Sequence, residues 1–516
     1  MLVLGDILRR HAAVRGDKTA YVVGADRLTY GAFHARSNQL ARALARLGVR
    51  RGDRVAVLAT NRAEYPIVYF AAIKLGAIVV PVNARFTAAE VAAIVEHSEA
   101  ETFFVSPEFG TLVTALRATG RLPLVRRFIA IGNAAVEQAL ELDILADAEG
   151  ADEVGANVDE RDPHVMLYTS GTTGSPKGTL LSHRSYWLQA TASHLQLGIR
   201  DDDVLLSMFP MFHMGGWALP LSSWHTGATA VILPKAEPRA ILETVARERV
   251  TYFYAVPTVY TSILAMPDFE QFDLSSLRLL GGGTAAMTAE QVRTIMTRFR
   301  CEQMVILYGS TEGGPISMLH PRDVPRRPET VGRPYLDVDV RLVDDTGDPV
   351  PRGAVGEITV RSEFTMQAYW RNPEETARTL RDGWVFTGDL GAFDDAGFLS
   401  IVGRRKEVIR SGGESIFPAE LERVLLDHPA IREAAIVGVP DPHWGEAVAA
   451  AVVLHDGAAL SADDVIAHVR QRLAGFKRPR HVRFLPHLPR TAASQQVHKP
   501  LLRELILQDI AAHDAN

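Results

Sequence analysis

Short apolar runs alternate with helical patterns through most of this chain, and that alternation limits its fold more than any single motif does. RVAVLA (54–59) and AIVVPV (77–82) are strand-like and flank a helical pattern over 64–75. VLLSMF (204–209), TAVIL (229–233), TYFYAV (251–256), LRLLGGG (277–283) and MVILYGS (304–310) continue the series, with a further helix near 238–248. Upstream, Thr29 can cap a helix in which Phe33, Leu40, Leu44 and Leu47 share a face and Gly48 ends it. Such spacing predicts an α/β protein whose large N-terminal part holds two successive layered α/β subdomains.

The acidic, non-periodic stretch AEGADEVGANVDERD (148–162) is read as a solvated loop. From Val331 the pattern changes. VDVRLVDDTGDPV and VGEITVRS alternate in the manner of strands and are joined by turn-rich segments, so a small β unit is expected. Beyond GRRKEVIRSGG (403–413) a compact segment has its own apolar pattern. It comprises a helix from Pro418, strands EAAIVGV and AVAAAVVL, a helix over 461–473 and a strand HVRFL. The expected division is an N-terminal domain over 1–403 and a small α+β domain over 404–516, with a hinge near Lys406.

Composition excludes several classes. The 516 residues carry 55 Lys+Arg against 61 Asp+Glu, a net charge of −6, which argues against nucleic-acid binding as the main role. Cys301 is the only cysteine, so no intrachain disulfide can form; this fits a reducing compartment, and packing is its simpler role. No apolar run reaches the roughly 18 residues of a membrane span, the start lacks the pattern of a secretory leader, and AAHDAN is not a retention or peroxisomal address. A cytoplasmic protein without a stable membrane anchor is expected. Oligomeric state is not legible.

YTSGTTGSPKGTLLSH (168–183) concentrates hydroxyls and glycines around one cation, Lys177. It is not a Walker A loop: Gly171 and Gly174 lie too close together, Pro176 precedes the lysine and Gly178 follows it. The physics is nevertheless that of anion binding, in which glycines bring backbone N–H groups close, hydroxyls add donors and the lysine adds charge. A flexible Ser/Thr/Gly linker has the same composition. Strand-like VMLY before the segment and helical LLSHRSYWLQ after it favour a fixed phosphate loop.

This segment resembles the phosphate loop of the adenylate-forming superfamily, which includes acyl-CoA synthetases, peptide-synthetase adenylation domains and firefly luciferase. PMFHMGGW (210–217), GGGTAA (281–286), YGSTEGG (308–314), TGDL (387–390), GRRKEVIRSGGESIFPAELE (403–422) and DPHWGE (441–446) follow in that family's order and spacing, so the resemblance covers essentially the whole chain. It implies two steps: a carboxylate attacks the α-phosphate of ATP to give an acyl-adenylate and pyrophosphate, then a thiol displaces AMP. It implies that Thr169, Ser170, Gly171, Thr172, Thr173, Gly174 and Lys177 hold the β- and γ-phosphates, and that Glu312 with Thr169 holds Mg²⁺. Thr311 would contact the α-phosphate, and Tyr308, beside Gly309, would stack on adenine. Gly281, Gly282, Gly283 and Thr284 would let backbone approach nucleotide and substrate, although a glycine turn without function reads the same. Asp389 would take the ribose diol with its two acceptor oxygens, and Arg404 would add a ribose or phosphate contact. His213 would gate and pack between the ATP site and the acyl channel, and Trp217 would line the acid pocket; a core histidine and a core tryptophan are the plainer readings. Lys406 matches the hinge about which the mobile small domain rotates, and Ser411, Gly412, Gly413, Glu414 and Trp444 resemble the lining of a pantetheine tunnel.

The chain departs from the family at one point. In PRTAASQQVHKPLLREL (489–505) the position of the family's adenylation lysine is Gln496, and Lys499 lies three positions on. A glutamine supplies no positive charge, and losing a comparable charge-stabilising donor costs roughly 10²–10³ in rate. The expected activity is an AMP-forming ligase joining a fatty or aromatic carboxylic acid to coenzyme A, with ATP and Mg²⁺, an apolar pocket being suggested by TYFYAVPTVY (251–260). Two alternatives stand: an adenylation enzyme loading a separate carrier protein, and a nucleotide- or acyl-adenylate-binding relative with little turnover.

Overall fold

A computed structural model describes residues 2–169, 177–283, 287–491 and 496–514, with the side chains of 511–514 excepted. Apolar runs that do not alternate become strands buried on both faces, as parallel sheets require. In the first sheet Ile78–Pro81, Arg54–Leu58, Thr102–Val105 and Arg127–Ala130 run parallel, with Val55 facing Val79 and Val57 facing Phe104. Helix Glu64–Lys74 is buried along almost its whole length, and Ala88–Ser98 starts on a full capping box made by Thr87 and Glu90. Toward the other edge the sheet changes direction. Pro163–Thr169 joins it parallel to Ile78–Pro81, and Lys177–Ser182 then Ala368–Tyr369 are added antiparallel. The structure differs here from the sequence reading, which passed from the loop directly into a helix: a strand intervenes, and helix His183–Leu197 begins only after Ser182 caps it by accepting Ser185 N at 3.1 Å.

The second sheet has nine strands in the order Arg333–Pro334, Gly314–Leu319, Met304–Ser310, Leu279–Gly283, Tyr252–Tyr254, Val204–Ser207, Thr229–Ile232, Thr19–Val23, Asp26–Thr29. Its centre is parallel, and only Gly314–Leu319 and the two outermost strands run antiparallel to their neighbours. Thr29 caps helix Tyr30–Arg46 by accepting Ala32 N at 3.2 Å, and Phe33, Leu40 and Leu44 are fully buried. The acidic stretch 148–162 is loop, as expected, but it is not merely solvated. Glu149 is nearly buried against Arg42 and Arg46, and Glu153 neutralises Lys74, whose side chain is only 3% exposed. A buried ammonium needs such a partner.

By compactness the chain forms two units: Met1–Val340 with Val360–Val385, and Arg341–Thr359 with Phe386–Asn516. The small β unit contains Asp339–Val343, Gly356–Arg361 and Leu399–Arg404. Beyond it, Ile431–Asp441 and Gly445–Leu454 form a long hairpin in a five-stranded sheet. Successive side chains point to opposite faces. Ile436, Val448, Ala450 and Val452 therefore pack with Leu421, Leu425, Val465 and Val469. Val437, Val439, Ala449 and Ala451 pack on the other side with Leu488, Leu502 and Ile506. AVAAAVVL is continuously apolar because both faces are covered. The second cover is helix Lys499–Asp514, which the sequence pattern did not announce.

Two histidines are buried completely in the first unit. His164 Nδ1 shares a 2.6 Å hydrogen bond with Tyr69 OH, and His183 Nδ1 accepts Leu4 N at 3.3 Å. Burial pushes both imidazoles down, His183 to about 4. The unfolded chain, at about 6.5, binds a proton that the folded chain refuses, so His183's contribution is complete above pH 6.5 and lost as pH falls toward 4. The loss is on the order of 3 kcal/mol. Urea midpoints should fall across that window, and His183→Gln should make the decline shallower.

Candidate active site

The antiparallel pairing of Pro163–Thr169 with Lys177–Ser182 makes Thr169 and Lys177 direct partners. Ser170, Gly171, Thr172, Thr173 and Gly174, between them, lie outside the described residues, as does Thr284. Strand Ala368–Tyr369 adds to the same edge, with Tyr369 opposite Thr179. Its ring centroid lies 5.3 Å from Lys177 Nζ, a cation–π contact. Its hydroxyl donates to Glu312 Oε1 at 2.9 Å, and Thr169 Oγ1 donates to the same oxygen at 3.3 Å. Lys177 Nζ also pairs with Glu375 Oε2. Helix Pro373–Thr379 presents Glu375: Asn372 caps it by accepting Glu375 N at 3.1 Å, and Arg378 Nη1 holds the other carboxylate oxygen at 2.7 Å. Burial, reinforced by the Glu312 carboxylate, pushes the Tyr369 phenol far up, so it remains a donor. The hydrogen bond from Lys177 holds the Glu375 carboxyl below its usual range. Sequence reasoning named Thr169, Lys177 and Glu312. It missed Tyr369 and Glu375.

Glu312 sits where strand Met304–Ser310 turns into Gly314–Leu319, with Tyr308 opposite Ser317 and Ser310 opposite Gly314. Its carbonyl accepts Met366 N at 2.8 Å. Tyr308 and Thr311 are half-buried on the same turn and strand end. A Cβ on Gly309 would stand 2.4 Å from Gly314 O, so the turn tolerates no side chain there. Gly281, Gly282 and Gly283 form a buried strand, and the protein itself fills the space above the first: the Tyr254 ring lies where a Gly281 Cβ would go. Tyr254 OH donates to Gly282 O and accepts Leu307 N at 2.8 Å; Tyr260 OH donates to Gly281 O at 2.9 Å. The aromatics Tyr252, Phe253, Tyr254 and Tyr260 are all buried. Trp217 is likewise core, stacked on Tyr69 at 3.6 Å and 20°. His213, half-buried, precedes helix Met214–Thr226 with its ring 4.9 Å from that of Phe212.

In the second unit Asp389 and Arg404 are cross-strand partners, with Arg404 Nε 3.2 Å from Asp389 Oδ1. Lys406 is exposed on the single turn Arg405–Glu407. Gly412 and Gly413, with φ of 59° and 86°, make the two-residue turn between Ser411 and Glu414, a geometry that glycine adopts freely. Gly412 N donates to Trp444 O at 2.9 Å, and the Trp444 ring packs where a Gly412 Cβ would be. Arg480 lies 4.8 Å over that ring. Gln496 is exposed, and its carbonyl accepts Thr491 N at 2.8 Å. Lys499 Nζ lies between Glu407 Oε2 at 2.8 Å and Glu422 Oε1 at 2.9 Å. Burial opposes its charge, but the two carboxylates outweigh burial and raise its pKa.

No cluster of three metal-binding side chains occurs among the described residues. One carboxylate beside one hydroxyl is, however, an oxygen-only pair suited to Mg²⁺ held largely through nucleotide phosphates.

Residues 8–370 match the AMP-binding enzyme family and residues 420–494 match the AMP-binding enzyme C-terminal domain. The chain is 37% identical over 494 residues to a feruloyl-CoA synthase of Amycolatopsis sp, covering 95% of this chain and 97% of the relative. It is 36% identical over 508 residues to an indoleacetate–CoA ligase of Aromatoleum aromaticum, covering 98% of each. The crystal structure of the anthranilate CoA ligase AuaEII in complex with anthranoyl-AMP matches at a TM-score of 0.90 and 30% identity, covering 98% of this chain and 97% of that one. The chain belongs to the adenylate-forming superfamily: it is an AMP-binding enzyme of the acid–thiol ligase, or acyl-CoA synthetase, class. The architecture of a large N-terminal and a small C-terminal domain is that family's. Gly309→Ala should destabilise the turn bearing Glu312 by about 1–3 kcal/mol, read as a lower denaturant midpoint at unchanged slope.

Proposed function

We propose that this enzyme is an AMP-forming ligase that joins an aromatic carboxylic acid to coenzyme A. The meeting of Thr169, Lys177 and Tyr369 at one sheet edge with Glu312 from a turn of the other sheet carries the reading, because it gathers a cation, a carboxylate and hydroxyls where a triphosphate would be held. All three relatives named above are ligases or synthases of acids bearing an aromatic ring. A fatty acid is the alternative substrate.

In the first step the substrate carboxylate attacks the α-phosphate of ATP, and pyrophosphate leaves. Lys177 and the loop 169–174 would neutralise the β- and γ-phosphates, Thr311 would contact the α-phosphate, and Glu312 with Thr169 would hold Mg²⁺, which spreads charge over the phosphate oxygens. Tyr308 and Gly309, with Gly282, Gly283 and Thr284, would bound the nucleotide, and Asp389 with Arg404 would engage its ribose. His213 would separate nucleotide from acid. In the second step a thiolate attacks the adenylate carbonyl and AMP leaves. We place the domain boundary at 403/404 and the hinge at Lys406, with the small domain rotating between steps. Ser411, Gly412, Gly413, Glu414 and Trp444 would then line the pantetheine path. The guanidinium of Arg480 over Trp444 suits the phosphates of coenzyme A, and Arg480→Ala should raise the KM for CoA about tenfold with little change in that for ATP.

Gln496 leaves the first step without its usual cation, and Lys499 is already neutralised by Glu407 and Glu422. Those observations favour a second reading, slow turnover with retained nucleotide binding. Mass spectrometry of products from ATP, Mg²⁺, CoA and pooled aromatic and fatty acids tests both. The expected outcome is an aryl-acyl-CoA from the protein itself, and pyrophosphate exchange faster by up to about 10²-fold in Gln496→Lys. An amino-acyl adenylate as sole product would overturn the ligase reading; binding of ATP with no product from either protein would favour the second.

A further inference from the structure

Glu375 has no part in the scheme above, yet its carboxylate holds the one cation assigned to the triphosphate. The pair is no surface accident. The side chains of Lys177 and Glu375 are 9% and 16% exposed and come from segments 198 residues apart. Three contacts fix the carboxylate: the Asn372 cap places its backbone, Arg378 takes Oε1, and Lys177 takes Oε2. The Tyr369 ring flanks the ammonium. With one oxygen on each cation, Glu375 can release Lys177 and remain neutralised by Arg378.

We propose that Glu375 is the positioning residue of Lys177 and a built-in counter-anion that the triphosphate of ATP must displace, so that this carboxylate sets nucleotide affinity. The inference rests on the assignment of Lys177 to the β- and γ-phosphates. Before nucleotide arrives, Glu375 keeps the ammonium at the strand start, against the Tyr369 ring. On binding, the phosphates take over the ammonium, and the carboxylate left beside them opposes their charge. Partial burial strengthens both effects relative to open water. Neutralising residue 375 removes the competitor and the repulsion together, so ATP should bind more tightly; a purely structural tie would predict lower stability and no gain.

Calorimetric titration with MgATP and with AMP, without acid or CoA, tests this. Glu375→Gln should bind MgATP about tenfold more tightly and AMP, which lacks the β- and γ-phosphates, unchanged. Glu375→Asp, which keeps the charge, should fall between wild type and Glu375→Gln, and in a Lys177→Gln background the gain should vanish. An unchanged or weaker MgATP affinity in Glu375→Gln, an equal gain for AMP, or a gain that survives Lys177→Gln overturns the proposal and leaves the ligase reading standing. A wild-type chain that binds no MgATP overturns the ligase reading and this proposal with it. Should Glu375→Gln fail to fold, Glu375→Asp decides: an affinity for MgATP no tighter than wild type overturns the proposal.

Discussion

The register of one antiparallel hairpin governs the site. Pairing Thr169 with Lys177 fixes both residues at the same level of the sheet edge, and the third strand brings Tyr369 alongside. Because side chains alternate across a strand, a slip of one residue would move Lys177 to the opposite face, away from Tyr369 and Glu375. Glu312 arrives from the other sheet on its own tight turn, and Thr169 and Tyr369 hold it through a single carboxylate oxygen. Backbone pairing thus does most of the positioning, and side-chain hydrogen bonds complete it.

Much of the fold was legible because burial on both faces leaves a plain mark. The runs at 54–59, 77–82, 204–209, 229–233, 277–283 and 304–310 all became strands, since a parallel sheet covered by helices needs uninterrupted apolar sequence. The Thr29 cap was legible for a local reason: its hydroxyl binds a backbone N–H three residues on. Leu180–Ser182, read as the start of a helix, is the end of strand Lys177–Ser182, because so short a run has no period with which to choose between them and only its neighbours decide. The motifs gave Thr169, Lys177 and Glu312. Tyr369 and Glu375 were invisible because their meaning lies in partners far along the chain. YWRNPEET announces a capped helix start, but nothing in it points to Lys177. The aromatic run at 251–260 is legible only in part. Composition reports that Tyr254 and Tyr260 are buried, not whether substrate or protein buries them.

Charge is distributed conservatively in this molecule. Lys74, Lys177 and Lys499 are each largely buried, and each has at least one carboxylate within reach. Lys499 has two, which gives the C-terminal helix a firm first turn but leaves that ammonium little freedom. Gln496 is exposed and precedes Val497, which bridges to Arg490. For the ammonium at 499 to serve in place of one at 496, both of its ion pairs must be given up.

The Tyr254 ring occupies the space that a side chain at position 281 would need, and its hydroxyl ties the carbonyl of Gly282 to the amide of Leu307. Each residue makes sense only given the other. A larger residue at 281 expels the ring and unties two neighbouring strands, whereas a smaller one at 254 leaves a hole over bare backbone. A change at either position is therefore felt at the other, although the two stand 27 positions apart in the chain.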